Sequence, residues 1–320
     1  VVPIAAAMIP AGLAGVFAIV LVSRGQLPWP RFDLAPLRRL LRESAAFAAA
    51  GAVSVVYLRA AVLLGPAFLT PTEFGSFSVA FRAVEQLTLL PAILTGAMFP
   101  VLTHAALHDR PRLSRGYDVL WRSTATMGAV AAAGVIGVAP LITIVFTGGR
   151  NAITVDTFVI LGCALGALFI GAAGMWMLLA ERHYRAVLGI NVLALSANVG
   201  LTFVAGKWLG PHWFAIGVLV SEALIALIAD RVCRQGLRRS GHPIPREPVV
   251  HLLKVALAVL AALAVFVPTR SLFPLVPLAA TCCAAGAVLL LTRAVPEELT
   301  GMALDVTRRI ARRPDGRMAG

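Results

Sequence analysis

Long apolar segments alternate with short turns and arginine clusters along nearly the whole chain. A helix that crosses a membrane needs about 20 mostly apolar residues, because about 30 Å of hydrocarbon must be covered at about 1.5 Å per residue. Segments of this length predict an all-α integral membrane protein with about nine transmembrane helices. Their predicted bounds are about 1–22, 44–69, 75–103, 119–146, 154–180, 186–206, 213–230, 249–268 and 272–292.

The composition agrees with this pattern. Apolar residues make up 59% of the 320 residues and charged residues 13%, and the mean hydropathy is +0.87. A soluble domain needs a more polar surface than these values allow. The prediction is therefore a multi-pass protein embedded in a bilayer.

The basic residues predict the orientation of the helices. Short cytoplasmic loops are enriched in Lys and Arg, whereas translocated loops are not. Of the 28 Lys and Arg residues, 21 lie in the tail and in the loops that follow the first, third, fifth and seventh predicted helices, and only Arg150, Lys207 and Arg270 lie on the other side. This bias predicts a cytoplasmic C-terminus and an external N-terminus. Anionic lipid headgroups account for the net charge of +13 without nucleic acid.

An external N-terminus is unusual for a chain whose first residues are already apolar. Val1 is not methionine, and no basic region or small-residue cleavage site marks a signal peptide. The charge pattern favours a chain that lacks upstream helices. A GTG start codon, read here as valine, is the alternative.

Catalytic, cofactor and metal motifs are not apparent in the sequence. The cysteines Cys163, Cys233, Cys282 and Cys283 have neither zinc-ligand spacing nor an external disulfide partner. The six histidines form no HExxH pattern, and there is no P-loop for ATP. We expect no enzyme activity, no cofactor and no metal.

Charged residues inside the second and third predicted helices are the most informative feature. A charge near the bilayer centre costs about 2.5–3.5 kcal/mol on insertion scales, so it usually faces a cavity or a partner. Arg59 lies 11 residues before Thr70, the centre of the predicted turn, and Arg82 lies 12 residues after it. An antiparallel hairpin would place both arginines at nearly equal depth. Glu85 lies one turn beyond Arg82 on the same face.

Two interpretations of these charges remain open. In the first, Arg82 and Glu85 neutralise each other and Arg59 extends to the outer headgroups. In the second, the arginines line a water-filled cavity that holds a phosphate or pyrophosphate, which the planar guanidinium group suits. Glu222 is a further candidate for the same cavity. Asn191 and Asn198, seven residues apart, are interpreted as helix-packing residues.

The stretch from Leu41 to Leu113 resembles the opening of the C-terminal lobe in polysaccharide flippases of the multidrug/oligosaccharidyl-lipid/polysaccharide superfamily. The resemblance extends over about residues 1–240, including FTGGRNAITVDTFVILG and LAERHYRAVLGINVLALSANVGL. The features that carry it are Tyr57 and Arg59 before Leu64 and Gly65, Phe74 and Gly75 opening the next helix, Ala80 and Arg82, Pro91, and Pro100 closing that helix before a short basic loop.

This resemblance implies a multi-pass transporter of the bacterial cytoplasmic membrane that moves a polyprenyl-pyrophosphate-linked oligosaccharide across it by alternating access. The expected partners are undecaprenyl-pyrophosphate-linked glycan, anionic lipids and polysaccharide polymerase machinery. Tyr57, Arg59, Arg82, Glu85 and Glu222 are the candidate substrate-binding residues. Ala61 stands where family members often carry an acidic residue, which argues against ion coupling at that position.

The implied organisation has four parts. These are the last helix of an N-terminal lobe with a basic loop (1–43), a six-helix C-terminal lobe (44–240), two additional helices (241–295) and a basic cytoplasmic tail (296–320). The resemblance begins near the sixth helix of the family, which agrees with the external start inferred from charge.

Other functions remain possible from the sequence. A lipid II flippase of peptidoglycan synthesis is the main alternative, and a nonfunctional fragment or scaffold is another, because one lobe cannot enclose a cavity alone. The intramembrane arginines argue against a cation exporter. The short external turns argue against a polytopic glycosyltransferase, which would need acidic catalytic residues outside the membrane.

Overall fold

The structure is a computed structural model that describes residues 34–149, 152–242 and 248–294. The chain divides into two units, residues 1–45 and 46–320. Every regular element in the described residues is an α-helix. The helices are α1 (Leu34–Phe68), α2 (Pro71–Leu87), α3 (Leu89–His108), α4 (Arg110–Thr147), α5 (Ala152–Ala180), α6 (Tyr184–Leu209), α7 (Pro211–Arg239), α8 (Pro248–Thr269) and α9 (Leu275–Leu291).

The prediction of an apolar helical protein suited to a membrane is confirmed. Seven spans in the described part of the chain are long and apolar enough to cross a bilayer, and α2 and α3 together form one of them. The 17-residue α9 is shorter than the predicted segment 272–292. The predicted first span, 1–22, lies outside the described residues. The expected number of nine therefore stays a prediction.

The third predicted span is interrupted, which the sequence analysis did not anticipate. Thr88 separates α2 from α3, and its hydroxyl donates to the carbonyl oxygen of Glu85 at 2.7 Å. Pro91 explains the position of this break, because it has no N–H to donate to the carbonyl of Leu87 and its ring crowds that carbonyl. The expectation that Pro100 closes the helix is wrong, since Pro100 lies inside α3, which continues to His108.

The turn between α1 and α2 is fixed by a short set of local contacts. Thr70 caps α2, accepting a hydrogen bond from the Glu73 amide at 3.4 Å, while the Glu73 carboxylate accepts one from the Thr70 amide at 3.0 Å. These reciprocal bonds form a capping box. Gly65 lies against the Phe74 ring, where an added Cβ would be 2.4 Å from the ring carbon Cε2. The hairpin is therefore held close to its turn.

The centre of the bundle is α5, which packs against α4 and α7 as well as α2 and α3. Small residues allow this approach, as in other membrane proteins. A Cβ added at Gly128 would lie 2.8 Å from Phe169, and one at Gly174 would lie 2.7 Å from Ala229. On the other side of α4, α8 and α9 pack against each other and against α4. The five candidate residues lie on α1, α2 and α7.

Candidate functional site

Both intramembrane arginines of the hairpin contact the same carboxylate. Arg59 on α1 lies 2.7 Å from Glu85 on α2, measured from Nη1 to Oε1. Arg82 lies one helical turn before Glu85, and its Nη1 is 3.6 Å from Oε2. The antiparallel hairpin thus brings together the three charges that the sequence placed at similar depth. Two guanidinium groups against one carboxylate leave one positive charge.

The distribution of contacts differs from the first sequence interpretation. That interpretation pairs Arg82 with Glu85 and places the guanidinium group of Arg59 at the outer headgroups. The shorter contact is instead between Arg59 and Glu85, and the side chain of Arg82 is the more exposed, at 64% against 43% for Arg59. Arg82 is consequently the group with more freedom to contact a ligand.

Tyr57 and Glu222 form a second pair, deeper between the helices. The Tyr57 hydroxyl donates to Oε1 of Glu222 at 2.6 Å, linking α1 to α7. Both residues are buried, at 6% and 5% exposure. A buried carboxyl group needs such a donor, since burial removes most of its contact with solvent. The pair therefore stabilises the contact between the two helices.

A cavity of about 80 Å³ lies between these two sets of contacts. It has room for a few water molecules, but not for an oligosaccharide. Tyr57, Glu85 and Glu222 line it, whereas Arg59 and Arg82 do not. The structure thus separates the five candidates: the arginines lie on the exposed side of Glu85, and Tyr57 and Glu222 lie on the cavity side.

The two asparagines of α6 have different surroundings. Asn191 donates to the Ser54 hydroxyl oxygen on α1 at 2.7 Å, in agreement with its interpretation as a packing residue. Asn198 also lines the cavity. Its side-chain oxygen is buried and has no hydrogen-bond partner among the described residues. Asn198 thus adds a polar atom to the cavity.

A second polar cluster joins α4 and α7, and the sequence analysis missed it. The Tyr117 hydroxyl donates to Asp230 at 3.0 Å, and Arg234 Nε donates to Oδ2 of Asp230 at 2.7 Å. The Arg234 guanidinium carbon lies 5.3 Å from the centre of the Trp121 ring. Asp118 forms a further pair with Arg122 at 3.5 Å. The contacts of Tyr117 and Trp121 thus link α4 to the charged pair on α7, while Asp118 and Arg122 pair within α4, and each carboxylate has a cationic partner.

A signal for this cluster was present in the sequence. Asp118 and Arg122 are four residues apart, as are Asp230 and Arg234, and this spacing brings opposite charges together on one helix face. The predicted span 213–230 leaves Arg234 in the following loop, but this residue lies inside α7. The contact between Arg234 and Trp121 had no comparable signal, because it joins two helices distant in sequence.

The chemistry available at the hairpin is anion binding. Exposed guanidinium groups that share one carboxylate can donate hydrogen bonds to a phosphate or a pyrophosphate, while Glu85 holds the two arginines in place. No group of three or more His, Cys, Asp and Glu side chains suited to a metal ion occurs in the part of the chain that the structure describes.

Comparison with known proteins adds no family to this description. No protein-family model and no curated protein matches the sequence.

Proposed function

We propose that this chain acts in a flippase that moves a polyprenyl-pyrophosphate-linked oligosaccharide across the bacterial cytoplasmic membrane for cell-surface polysaccharide synthesis. The observation that carries the proposal is the group formed by Arg59, Glu85 and Arg82. Its excess positive charge lies on helices that are otherwise apolar, where an unpaired charge is unfavourable and is usually retained for function.

The chemistry of these three side chains favours a pyrophosphate-linked lipid as the substrate. Guanidinium groups bind pyrophosphate oxygens through paired N–H donors, and the exposed parts of Arg59 and Arg82 are free for such contacts. A polyprenyl chain needs an apolar surface beside this anion site, and the exposed apolar side chains of α1 provide it: Val55, Val56 and Leu63. The resemblance to polysaccharide flippases supports the same substrate class.

The mechanism that follows is an exchange of ion pairs. On substrate entry, Arg82, whose contact with Glu85 is the longer one, turns toward the pyrophosphate, while Arg59 keeps its shorter contact. Rocking of the helices around the bound headgroup then exposes the sugar on the other side. A second copy of the chain or further helices would supply the opposite wall of the passage.

The experiment that tests this function is deletion of the coding region from its own host. We expect lipid-linked oligosaccharide to accumulate on the inner leaflet and surface polysaccharide to be lost. The wild-type gene should restore both, and Arg59→Gln should not. Because the host's own sugar is used, substrate mismatch cannot obscure the result.

Three results would overturn the proposal or redirect it. Normal surface polysaccharide after deletion would exclude the function. Accumulation of lipid II instead would assign the chain to peptidoglycan synthesis. Full restoration by Arg59→Gln, at equal protein abundance, would remove the arginine from the mechanism.

A further inference from the structure

A larger cleft lies at the arginine-rich ends of the helices, away from the hairpin charges. Its volume is about 330 Å³, about ten times the share of one water molecule in the liquid. It is bounded by the end of α3, the beginning of α4, the end of α5 and the beginning of α6. Its lining includes Phe99, Leu107, Arg110, Glu181, Arg182 and Tyr184.

The charges in this cleft leave one cation without a partner. Arg110 is paired with Glu181, whose other oxygen lies 3.6 Å from Nδ1 of His183. Arg182 has neither an ion pair nor a side-chain hydrogen bond with any residue that the structure describes, and the Tyr184 hydroxyl likewise has no partner among them. Two arginines against one carboxylate again leave a positive charge, here beside an unused hydroxyl donor.

The backbone at Arg182 is unusual for its residue type. Arg182 has φ 59°, in the left-handed region that residues with a Cβ seldom adopt. Its amide donates to the carbonyl of Leu179 at 3.0 Å and the amide of His183 donates to that of Leu178 at 2.8 Å, which is the helix ending that glycine favours. The end of α7 has the same pair of bonds with Gly241 at the corresponding position. An arginine therefore occupies a site where glycine would fit the backbone better.

We infer that this cleft binds the phosphate of an anionic ligand, either a lipid headgroup or a soluble phosphate ester. Arg182 and the Tyr184 hydroxyl supply the donors, and Arg110, fixed by Glu181, supplies a second positive charge. Phe99 and Leu107 form an apolar wall beside these donors, which suits the glycerol and upper acyl region of a phospholipid. Basic pockets between helix ends on the cytoplasmic side are suited to such headgroups. This site is separate from the proposed transport site and does not rest on it.

Replacement by glycine gives a test that leaves the fold intact. Arg182→Gly removes the cation and relieves the left-handed backbone, so loss of binding cannot be attributed to unfolding. Arg293→Gly is the matched control. Arg293 ends α9 with φ 49° and the same two backbone bonds, to Leu290 and Leu289, but it does not line the cleft. Both variants lose one positive charge.

Native mass spectrometry would measure the binding of dioleoyl phosphatidylglycerol to the purified full chain in phosphatidylcholine nanodiscs. We expect Arg182→Gly to weaken binding about fivefold or more, the effect of one arginine near a headgroup, and Arg293→Gly to bind as the wild type does. An equal loss in both variants, or no loss in either, would overturn the site.

A second arm identifies the source of the phosphate. Glycerol 1-phosphate is added as a soluble competitor at millimolar concentration. If it does not displace phosphatidylglycerol from the wild type, the apolar wall contributes and the ligand is a lipid. If it displaces the lipid, and does so less in Arg182→Gly, the site belongs to a soluble phosphate ester.

Discussion

The hydrogen bond between Tyr57 and Glu222 gives the most quantitative prediction about the site. Tyr57→Phe removes only the hydroxyl that donates to Glu222 at 2.6 Å. The ring keeps its packing, so no cavity forms. The carboxyl group of Glu222, at 5% exposure, then loses this donor and can be hydrated only from the small cavity that it lines. The variant thus isolates one interhelical bond.

The expected loss of stability follows from the burial and the type of partner. Interhelical hydrogen bonds in membrane proteins average about 0.6 kcal/mol, and a charged partner about doubles the strength of a hydrogen bond. The cavity that Glu222 lines has room for water, so only a small part of the penalty of about 1–3 kcal/mol for a buried acceptor without a donor is added. We therefore expect the free energy of unfolding to fall by about 1–2 kcal/mol. Glu222→Gln should lose less, because its amide oxygen can still accept from Tyr57.

Equilibrium unfolding in bicelles, with the single variants and the double variant, would measure this loss. The double variant should recover part of the loss seen in Tyr57→Phe, because the unpaired carboxyl group is gone. Tyr184→Phe is the control, since its hydroxyl has no partner among the described residues, and we expect no change. The reasoning is refuted if Tyr57→Phe and Tyr184→Phe have the same free energy of unfolding within about 0.5 kcal/mol.

Two further predictions concern helix packing and the hairpin charges. At Gly137 an added Cβ would lie 2.7 Å from a backbone carbon of α9, whereas at Gly134 on the same helix it would meet nothing within 4 Å. In the same unfolding assay, Gly137→Ala should therefore be less stable than Gly134→Ala by about 1–3 kcal/mol. Equal stability of the two variants would contradict the close approach of α4 and α9. Glu85→Gln removes the carboxylate shared by Arg59 and Arg82. The proposed function requires the exposed faces of both arginines to meet a water-filled passage, so we expect a loss below about 1 kcal/mol. A larger loss in thermal unfolding would mean that these faces lie against lipid, which would contradict the passage.

The sequence predicted the parts of the site that depend on local geometry. Arg59 and Arg82 could be placed at similar depth because a hairpin with one short turn pairs positions equally far from that turn. Glu85 followed from its position one turn beyond Arg82. The helical class itself followed from the length of the apolar segments.

The contacts between distant segments could not be predicted. Tyr57 and Glu222 are 165 residues apart, and no periodicity indicates which of several apolar helices will be neighbours. Which arginine makes the shorter contact with Glu85 was also not predictable, because it depends on how far each guanidinium group extends toward that carboxylate. The break at Thr88 had a signal in Pro91, but a proline inside a membrane helix does not always interrupt it.

The central claim is that Arg59 and Arg82 hold a pyrophosphate against the competing carboxylate of Glu85. Its most direct test is the affinity of the purified chain in nanodiscs for undecaprenyl pyrophosphate, with undecaprenol as the uncharged control lipid. If the claim is correct, Glu85→Gln binds the pyrophosphate more tightly than the wild type, Arg59→Gln binds it more weakly, and undecaprenol binds all three alike. Equal affinity of the three proteins for undecaprenyl pyrophosphate would contradict the claim.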